Sequence, residues 1–269
     1  MKIVSVQDIS CYGQCSLTVA LPILSYYGIE TAILPSAILS THTSGFKNFT
    51  VHDLTDEMPK IVNHWIDEKI IFDGIYTGYI GDSRQFDIIL DLKKNLLNKN
   101  GLFIVDPAMA DHGNMYWGLD EDIINGMKKL SSVADYILPN ITEAAFLTGN
   151  KYEEIQTDEY INKLLKDLKA LGTKNVILTG VEKDGKIGAA FYDGKNTEIV
   201  LYPKEAKSYH GTGDIFSSVI IGNIYNKKTP KEAIDAASRF VIESIKLTNN
   251  DQSHGYGVNF EEILKQKAF

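Results

Sequence analysis

The feature that most constrains the fold of this chain is a regular alternation of short apolar runs with longer amphipathic stretches. The apolar runs predict strands at residues 3–6, 31–34, 74–77, 102–106, 136–138 and 176–179. The amphipathic stretches predict helices at residues 17–27, 54–68, 83–98, 120–134, 142–148 and 158–171. Strands that alternate with helices pair in parallel through crossover connections, and continuous apolar strands suit a sheet covered on both faces. We therefore predict an α/β fold in which helices flank a mainly parallel sheet.

The pattern changes after Thr179. Two strand-like runs, 187–192 and 198–202, flank Asp193-Gly194-Lys195-Asn196, which is typical of a hairpin turn. Helical patterns at 230–248 and 260–267 follow. No linker-like, low-complexity or repeated segment interrupts the chain. We therefore expect one α/β domain over residues 1–269 with an antiparallel edge.

A glycine-rich segment, His210-Gly211-Thr212-Gly213-Asp214, precedes an apolar helical stretch. Glycines let several backbone N–H groups point one way, and a helix start adds unpaired N–H groups and a positive dipole end. Such a place binds an anion, most often phosphate. A carboxylate beside it is typical of a general base that takes a proton from an attacking hydroxyl. The segment therefore predicts phosphoryl transfer to an alcohol, with a simple helix entry capped by Asp214 as the structural alternative.

Composition argues against several other classes of protein. The formal net charge is −8 and no Lys/Arg run is present, so nucleic acid is not an expected partner. No apolar run approaches the roughly 18 residues of a membrane span. Cys11 and Cys15 lack the further cysteine or histidine ligands of a zinc site. The strand-like N-terminus does not resemble a signal peptide, so we expect a cytoplasmic protein.

Polar residues follow the predicted parallel strands, at positions that meet at one edge of such a sheet and bind ligands there. They are Gln7-Asp8, Thr41-His42-Thr43, Thr77-Gly78-Tyr79, Asp106-Pro107 with Asp111, Pro139-Asn140-Ile141-Thr142-Glu143, and Thr179-Gly180. Carboxylates gathered there would repel one another unless cations lie among them, and Mg²⁺ prefers oxygen ligands and bridges substrate phosphates. We predict Asp106 and Glu143 as metal ligands, partly through water. Each of the two taken alone also fits a turn or a helix start.

The histidines offer little support for a metal site. No pair has metal-binding spacing on a helix. We expect His64 and His254 to be surface residues, while His210 beside the glycine-rich segment fits packing as well as catalysis. His42 has the best position to meet a ligand, because it lies in a strand-end loop.

Together these motifs resemble the ribokinase superfamily and, within it, the pyridoxal kinases. The matching segments occur in order from residue 1 to about residue 260. They are Ser5-Val6-Gln7-Asp8, Ser40-Thr41-His42-Thr43-Ser44-Gly45-Phe46, Thr77-Gly78-Tyr79, Asp106-Pro107-Ala108-Met109-Ala110-Asp111, Pro139-Asn140-Ile141-Thr142-Glu143 and Gly211-Thr212-Gly213-Asp214. The resemblance implies a ribokinase-like three-layer α/β/α sandwich and transfer of phosphate from ATP with Mg²⁺ to the 5′-hydroxymethyl group of a vitamin B6 vitamer. It also implies a homodimer, and it leaves a monovalent cation open.

The resemblance implies a role for each matching residue. Asp214 is the expected catalytic base, beside an anion hole for the γ-phosphate formed by Gly211, Thr212 and Gly213. The expected ATP contacts are Asn140, Thr179, Asp111 and the three anion-hole residues, and the expected metal ligands are Asp106 and Glu143. The expected substrate contacts are Asp8, Thr43, Tyr79 and Asp214. Asp8 departs from the family, which often has serine there. An acid can pair with a protonated ring nitrogen or an amine, so we expect Asp8 to influence the preferred vitamer.

Two other functions stay open. Hydroxymethylpyrimidine (phosphate) kinase is a relative that usually carries Gly-Thr-Gly-Cys where this chain has Gly211-Thr212-Gly213-Asp214, and its opening segment is richer in glycine. His210 before the loop is the one feature that favours it. A non-catalytic vitamin-binding protein is the alternative of another class, and the intact Asp214, Asn140 and Glu143 argue against it.

Overall fold

A computed structural model describes residues 1–43, 45–251 and 256–267 of the chain. The strands of this part of the chain are β1 (Lys2–Ser10), β2 (Glu30–Leu39), β3 (Val51–Asp53), β4 (Phe72–Thr77), β5 (Leu97–Val105), β6 (Ala110–Asp111), β7 (Asn114–Met115), β8 (Tyr136–Ile137), β9 (Asn175–Lys183), β10 (Lys186–Tyr192) and β11 (Thr197–Pro203). The helices are α1 (Leu17–Tyr26), α2 (Met58–Asp67), α3 (Gln85–Leu96), α4 (Glu121–Ser132), α5 (Ile141–Thr148), α6 (Asp158–Ala170), α7 (Thr212–Tyr225), α8 (Pro230–Asn249) and α9 (Glu261–Lys267).

The central sheet has the spatial order β11-β10-β9-β8-β5-β4-β1-β2-β3. The strands from β9 to β2 in this order pair in parallel. The hairpin β10–β11 continues the sheet antiparallel at one end, as the sequence predicts. The predicted mainly parallel sheet with an antiparallel edge is confirmed.

Helices cover both faces of the sheet, because neighbouring strand residues point to opposite sides. Val4, Val105 and Val176 pack in one buried layer with residues of α2, α3, α4, α5 and α6. Ile3 and Ile177 pack in the other layer with residues of α1, α7, α8 and α9. Burial of each such side chain contributes about 1.5–3 kcal/mol. The sheet therefore lies between two layers of helices that fix the positions of its strand ends, as in the predicted three-layer arrangement.

Two features of the fold were not predicted. The strand β3 pairs antiparallel with β2, so the far edge of the sheet is antiparallel as well. The strands β6 and β7 form a small separate hairpin. Each of these strands is only two or three residues long, which is too short for an apolar period to indicate it.

None of the helices in the described ranges is both long and apolar enough to cross a membrane.

Candidate active site

The carboxyl ends of β1, β4, β5 and β8 lie side by side at one edge of the sheet. The strand register pairs Val6 with Thr77, Thr77 with Val105, and Val105 with Ile137. The loops that leave these strands therefore start in a single row. This arrangement brings together most of the polar segments that the sequence places after its strands.

The glycine-rich segment forms the start of α7 at the same edge. Gly211 is the N-cap residue and has a φ of 78°, in the left-handed region that favours glycine. A Cβ on Gly211 would lie 1.9 Å from the carbonyl oxygen of Gln14, so this close approach also requires glycine. Gly213 faces open space, while the Thr212 hydroxyl donates to the carbonyl of Tyr209 at 3.1 Å. The exposed first turn of α7 can therefore present its N–H groups to an anion.

Asp214 lies in the first turn of α7 and is half-buried. Its Oδ2 accepts a hydrogen bond from the backbone N–H of Ser16 at 2.9 Å. Burial raises the pKa of this carboxyl from 3.8 to about 6, and the nearby negative charge of Asp8 adds to the rise. A carboxylate with this pKa is ionised at neutral pH and can accept a proton there, as a general base requires.

Asp106 is buried behind Asp214, at the end of β5. Its Oδ2 accepts a hydrogen bond from the Ser217 hydroxyl on α7 at 2.6 Å. Burial and the charge of Asp214, opposed by the Ser217 hydrogen bond, together raise the pKa of Asp106 to about 8. The charge of Asp214 on α7 thus acts on Asp106 at the end of β5.

Glu143 is buried at the start of α5, where the sequence predicts a helix cap as the alternative to a metal ligand. Its Oε2 accepts from the N–H of Asn140 at 2.8 Å, and the Asn140 side chain accepts from the N–H of Glu143 at 2.9 Å. This capping box satisfies two helix-start N–H groups. The other oxygen, Oε1, accepts from the N–H of Met109 at 3.1 Å. Burial raises the pKa of Glu143 well above its usual value, and the charge of Asp106 adds to this.

The pair Asp106 and Glu143 fits a divalent cation on electrostatic grounds. Both carboxylates are buried, and burial together with the charge of a neighbouring carboxylate destabilises the ionised form of each. In the described residues, no three His, Cys, Asp or Glu side chains lie close enough to hold a metal ion between them. Mg²⁺ commonly takes only one or two carboxylates and completes its shell with water and phosphate oxygens. The site therefore suits Mg²⁺ that arrives with a nucleotide better than a metal held by protein ligands alone.

The residues expected on the nucleotide side lie next to this pair. The backbone of Asn140 pairs with that of Thr179 in β9 as an isolated parallel β-bridge. The Asn140 side-chain Nδ2 donates to the carbonyl of Ala110 at 2.8 Å. Thr179 is half-buried, and its N–H donates to the carbonyl of Pro139 at 2.8 Å. Asp111 is exposed at the β6–β7 hairpin. The side chain of Asn140 thus joins the start of α5 to β6.

Of the residues expected on the substrate side, Tyr79 and Asp214 lie near Asp8. The Asp8 carboxylate is only 4% exposed and accepts hydroxyl hydrogen bonds from Ser10 and Ser16. Tyr79 is half-buried, and burial together with the Asp8 charge raises its pKa to about 12. Thr43 is half-buried in the loop after β2. Asp8 therefore lies within electrostatic reach of both Tyr79 and Asp214.

His42 is buried close to this side of the site. Its Nε2 lies 3.2 Å from the carbonyl oxygen of Tyr256, and its ring centroid lies 5.8 Å from that of His210. A Cβ on Gly13 would lie 2.1 Å from the His42 ring, so the glycine makes room for it. His64 is exposed, as expected of a surface residue. His254 lies outside the described residues, as does Ser44 of the loop after β2.

Tyr116 is a site residue that sequence reasoning missed. It is half-buried, and burial raises the pKa of its hydroxyl, as do the charges of four carboxylates. These carboxylates belong to Glu143, Asp111, Asp214 and Asp106. The phenol therefore lies among the predicted acids and can donate a hydrogen bond to an anion. Its position five residues after Asp111, at the end of the β6–β7 hairpin, was the available signal.

Cys15 and Ser16 were also missed. Burial and the charges of Asp214 and Asp8 raise the pKa of the Cys15 thiol, which keeps it protonated at neutral pH. Both residues directly precede α1, in a loop without a strand or helix pattern of its own. Only the fold brings this loop against the start of α7.

A family model described as phosphomethylpyrimidine kinase matches residues 26–259. The chain belongs to the phosphomethylpyrimidine kinase family. This family member is 29% identical over 271 residues to a pyridoxal kinase of Dictyostelium discoideum, a match that covers 93% of this chain and 87% of the relative.

Two solved structures resemble this kinase-family member closely. The pyridoxal kinase of Lactobacillus plantarum is 30% identical with a TM-score of 0.90, covering 98% of this chain and 95% of that one. A Bacteroides thetaiotaomicron protein, provisionally named a phosphomethylpyrimidine kinase and solved with pyridoxal, is 36% identical with a TM-score of 0.92. This match covers 98% of this chain and 94% of that one. The relationship to pyridoxal kinases and the ribokinase-like fold are thereby confirmed.

Proposed function

We propose that this protein transfers the γ-phosphoryl group of ATP to the 5′-hydroxymethyl group of a vitamin B6 vitamer. The observation that carries the proposal is the position of Asp214, a half-buried carboxylate with a raised pKa in the exposed first turn of α7. A carboxylate at a helix start repels an anion that is bound there, and its presence is explained if it takes a proton from a group that attacks the anion.

In the proposed reaction Asp214 accepts the proton of the vitamer hydroxyl while the hydroxyl oxygen attacks the γ-phosphorus. The bond between the γ-phosphorus and the oxygen that bridges it to the β-phosphate breaks, and ADP and a phosphate ester are formed. The N–H groups of Gly211, Thr212 and Gly213 stabilise the charge on the transferred group. The geometry favours this role because Gly213, in the first turn of α7, faces open space.

Asp106 and Glu143 are the residues that would hold Mg²⁺, partly through water. When bound, the ion would neutralise charge on the β- and γ-phosphates. Asn140, Thr179 and Asp111 belong to the nucleotide side in this proposal, and Thr43 and Tyr79 to the vitamer side. Their distribution along the strand ends, from β8 and β9 to β4 and β2, supports that division.

A B6 vitamer is the favoured acceptor because two of the similar proteins named above are pyridoxal kinases and a third was solved with pyridoxal. Hydroxymethylpyrimidine is the second candidate, since the matching family model carries the name of that activity. Both acceptors offer a hydroxymethyl group on an aromatic ring, so the same base could act on either.

We further propose that residues 1–269 form a single kinase domain, since Ile3 and Ile263 pack in the same buried layer. The proposed homodimer rests on the family resemblance. A cytoplasmic location is part of the proposal and is consistent with Cys11 and Cys15 being free thiols.

The test is ADP release by the purified protein with ATP and Mg²⁺ in the presence of pyridoxal, pyridoxine, pyridoxamine or hydroxymethylpyrimidine. We expect turnover with at least one B6 vitamer and a product phosphorylated on the 5′-hydroxymethyl group. Turnover with hydroxymethylpyrimidine alone would establish the second candidate. Tight vitamer binding without turnover would make the protein a vitamin-binding protein.

A further inference from the structure

Ser16 has a backbone conformation that is rare for any residue other than glycine. Its φ is 54° and its ψ is −129°, in the left-handed half of the map where a Cβ is strained. Such strain persists only where the surroundings impose it. The residue lies between β1 and α1, directly beside the start of α7.

Each polar group of Ser16 is used by a different element. Its N–H donates to Asp214 Oδ2 on α7 at 2.9 Å, and its carbonyl accepts from the N–H groups of Val19 and Ala20 in α1. Its hydroxyl donates to Asp8 Oδ1 at 2.5 Å, at the end of β1. The peptide meets all three partners in this left-handed conformation.

The hydroxyl of Ser16 does not cap α1, although serine commonly caps a helix from this position. Ser16 is the N-cap residue of α1, where a serine side chain normally accepts from the helix N–H groups. Here the side chain does not cap the helix. It is instead held by Asp8, whose other oxygen accepts from the Ser10 hydroxyl at 3.0 Å.

We infer that Ser16 is a positioning residue for the catalytic base, and that Asp8 acts through it. Asp8 holds the Ser16 hydroxyl, this contact keeps Ser16 in its strained conformation, and the Ser16 N–H then orients the Asp214 carboxylate. The inference rests on the proposed function only in taking Asp214 as the base. It gives Asp8 a task other than reading the vitamer, since both carboxylate oxygens of this buried residue already accept hydroxyl hydrogen bonds.

Glycine and alanine at position 16 separate the effect of the hydrogen bond between Ser16 and Asp8 from the effect of the backbone conformation. Ser16→Ala removes the hydroxyl and keeps the cost of a positive φ, so the backbone relaxes and the N–H turns away from Asp214. We expect kcat to fall by about 10-fold or more, since a misplacement of about 1 Å can cost 10²-fold in rate. The KM values for ATP and vitamer should stay within about twofold. Ser16→Gly adopts the same φ without strain, so kcat should recover to within about threefold of the wild type.

The coupling between Asp8 and Ser16 is the decisive measurement. In the Ser16 background, Asp8→Ser should lower kcat for pyridoxal and pyridoxamine by the same factor. In the Ser16→Gly background the same change should lower kcat by less than twofold, because glycine adopts the positive φ without the hydrogen bond to Asp8. Ser10→Ala is the matched control: it removes the other hydroxyl bonded to Asp8 without touching Ser16, and kcat should change by less than about threefold.

The thermal midpoint of each variant shows whether it is folded, and the Ser16→Gly background decides the matter even if Ser16→Ala does not fold. Equal loss of kcat in the Gly and Ala variants would overturn the inference, as would an undiminished effect of Asp8→Ser in the Gly background. A changed pyridoxal-to-pyridoxamine ratio in Asp8→Ser at unchanged kcat would assign Asp8 to substrate recognition instead. Wild-type turnover of hydroxymethylpyrimidine alone would overturn the proposed substrate. The same variant series, measured on that acceptor, would then test the positioning of Asp214.

Discussion

Replacing Asp214 by asparagine removes the proposed base while keeping its size and its place in the first turn of α7. General-base loss typically costs roughly 10²–10⁴ in rate, and we expect kcat to fall within this range. The asparagine oxygen can still accept the Ser16 N–H that Asp214 Oδ2 accepts at 2.9 Å. The start of α7 remains intact, so ATP affinity should survive or rise as a negative charge is lost.

The same substitution has a predictable effect on stability. The pKa of Asp214 rises from 3.8 to about 6 on folding, which corresponds to ~3 kcal/mol at 1.36 kcal/mol per pKa unit. Because the side chain is half-buried, water screens part of this energy, and we expect ~1–2 kcal/mol. The folded state binds the proton more tightly than the unfolded state, so wild-type stability falls as pH rises from about 4 to about 6. The asparagine variant does not lose this energy and should be the more stable protein at pH 8, but not at pH 4.

Three measurements test this reasoning together. Steady-state kinetics at saturating ATP and Mg²⁺ give kcat, titration calorimetry gives the nucleotide affinity, and urea unfolding at pH 4 and pH 8 gives the two stabilities. Near-wild-type kcat would show that Asp214 is not the base. A variant that loses both ATP binding and stability at pH 8 would show that the carboxylate is structural, and the electrostatic argument would fail with it.

Four further outcomes follow from the site. Glu143→Gln should raise the Mg²⁺ concentration needed for half-maximal rate more than it raises the vitamer KM; an unchanged Mg²⁺ titration would remove Glu143 from the metal site. The same variant should lose about 1–3 kcal/mol of unfolding free energy in urea titrations, because one backbone N–H would face an amide NH₂. The pH profile of kcat/KM should fall tenfold per pH unit below about pH 6, where Asp214 becomes protonated and loses its function as a base; a flat profile down to pH 5 would contradict this. Gly211→Ala should abolish turnover and lower the thermal midpoint, because its Cβ would lie 1.9 Å from the Gln14 carbonyl oxygen at a positive φ; full activity would show that the α7 start tolerates a shift.

Much of the fold could be predicted from the sequence because its signals are local. An apolar period of two or 3.6 residues is read within a short window, and this is enough to find the six parallel strands, the β10–β11 hairpin and the helices between them. The short strand β3 falls below the length at which such a period can be recognised. The capping box at Asn140 and Glu143 is equally local, and both residues lie where the sequence expects a helix start.

The sequence by itself determined the layers, the strand ends and the glycine-rich start of α7, since each depends on residues close together in the chain. Only the tertiary structure decided what surrounds the carboxylates. Ser16 meets Asp214 across 198 residues, and Ser217 meets Asp106 across 111. Burial among such distant partners is what raises the pKa values of Asp214 and Asp106. Desolvation depends on every element packed around a group, so no sequence window could have shown that Asp8 holds Ser16 or that Tyr116 faces four acids.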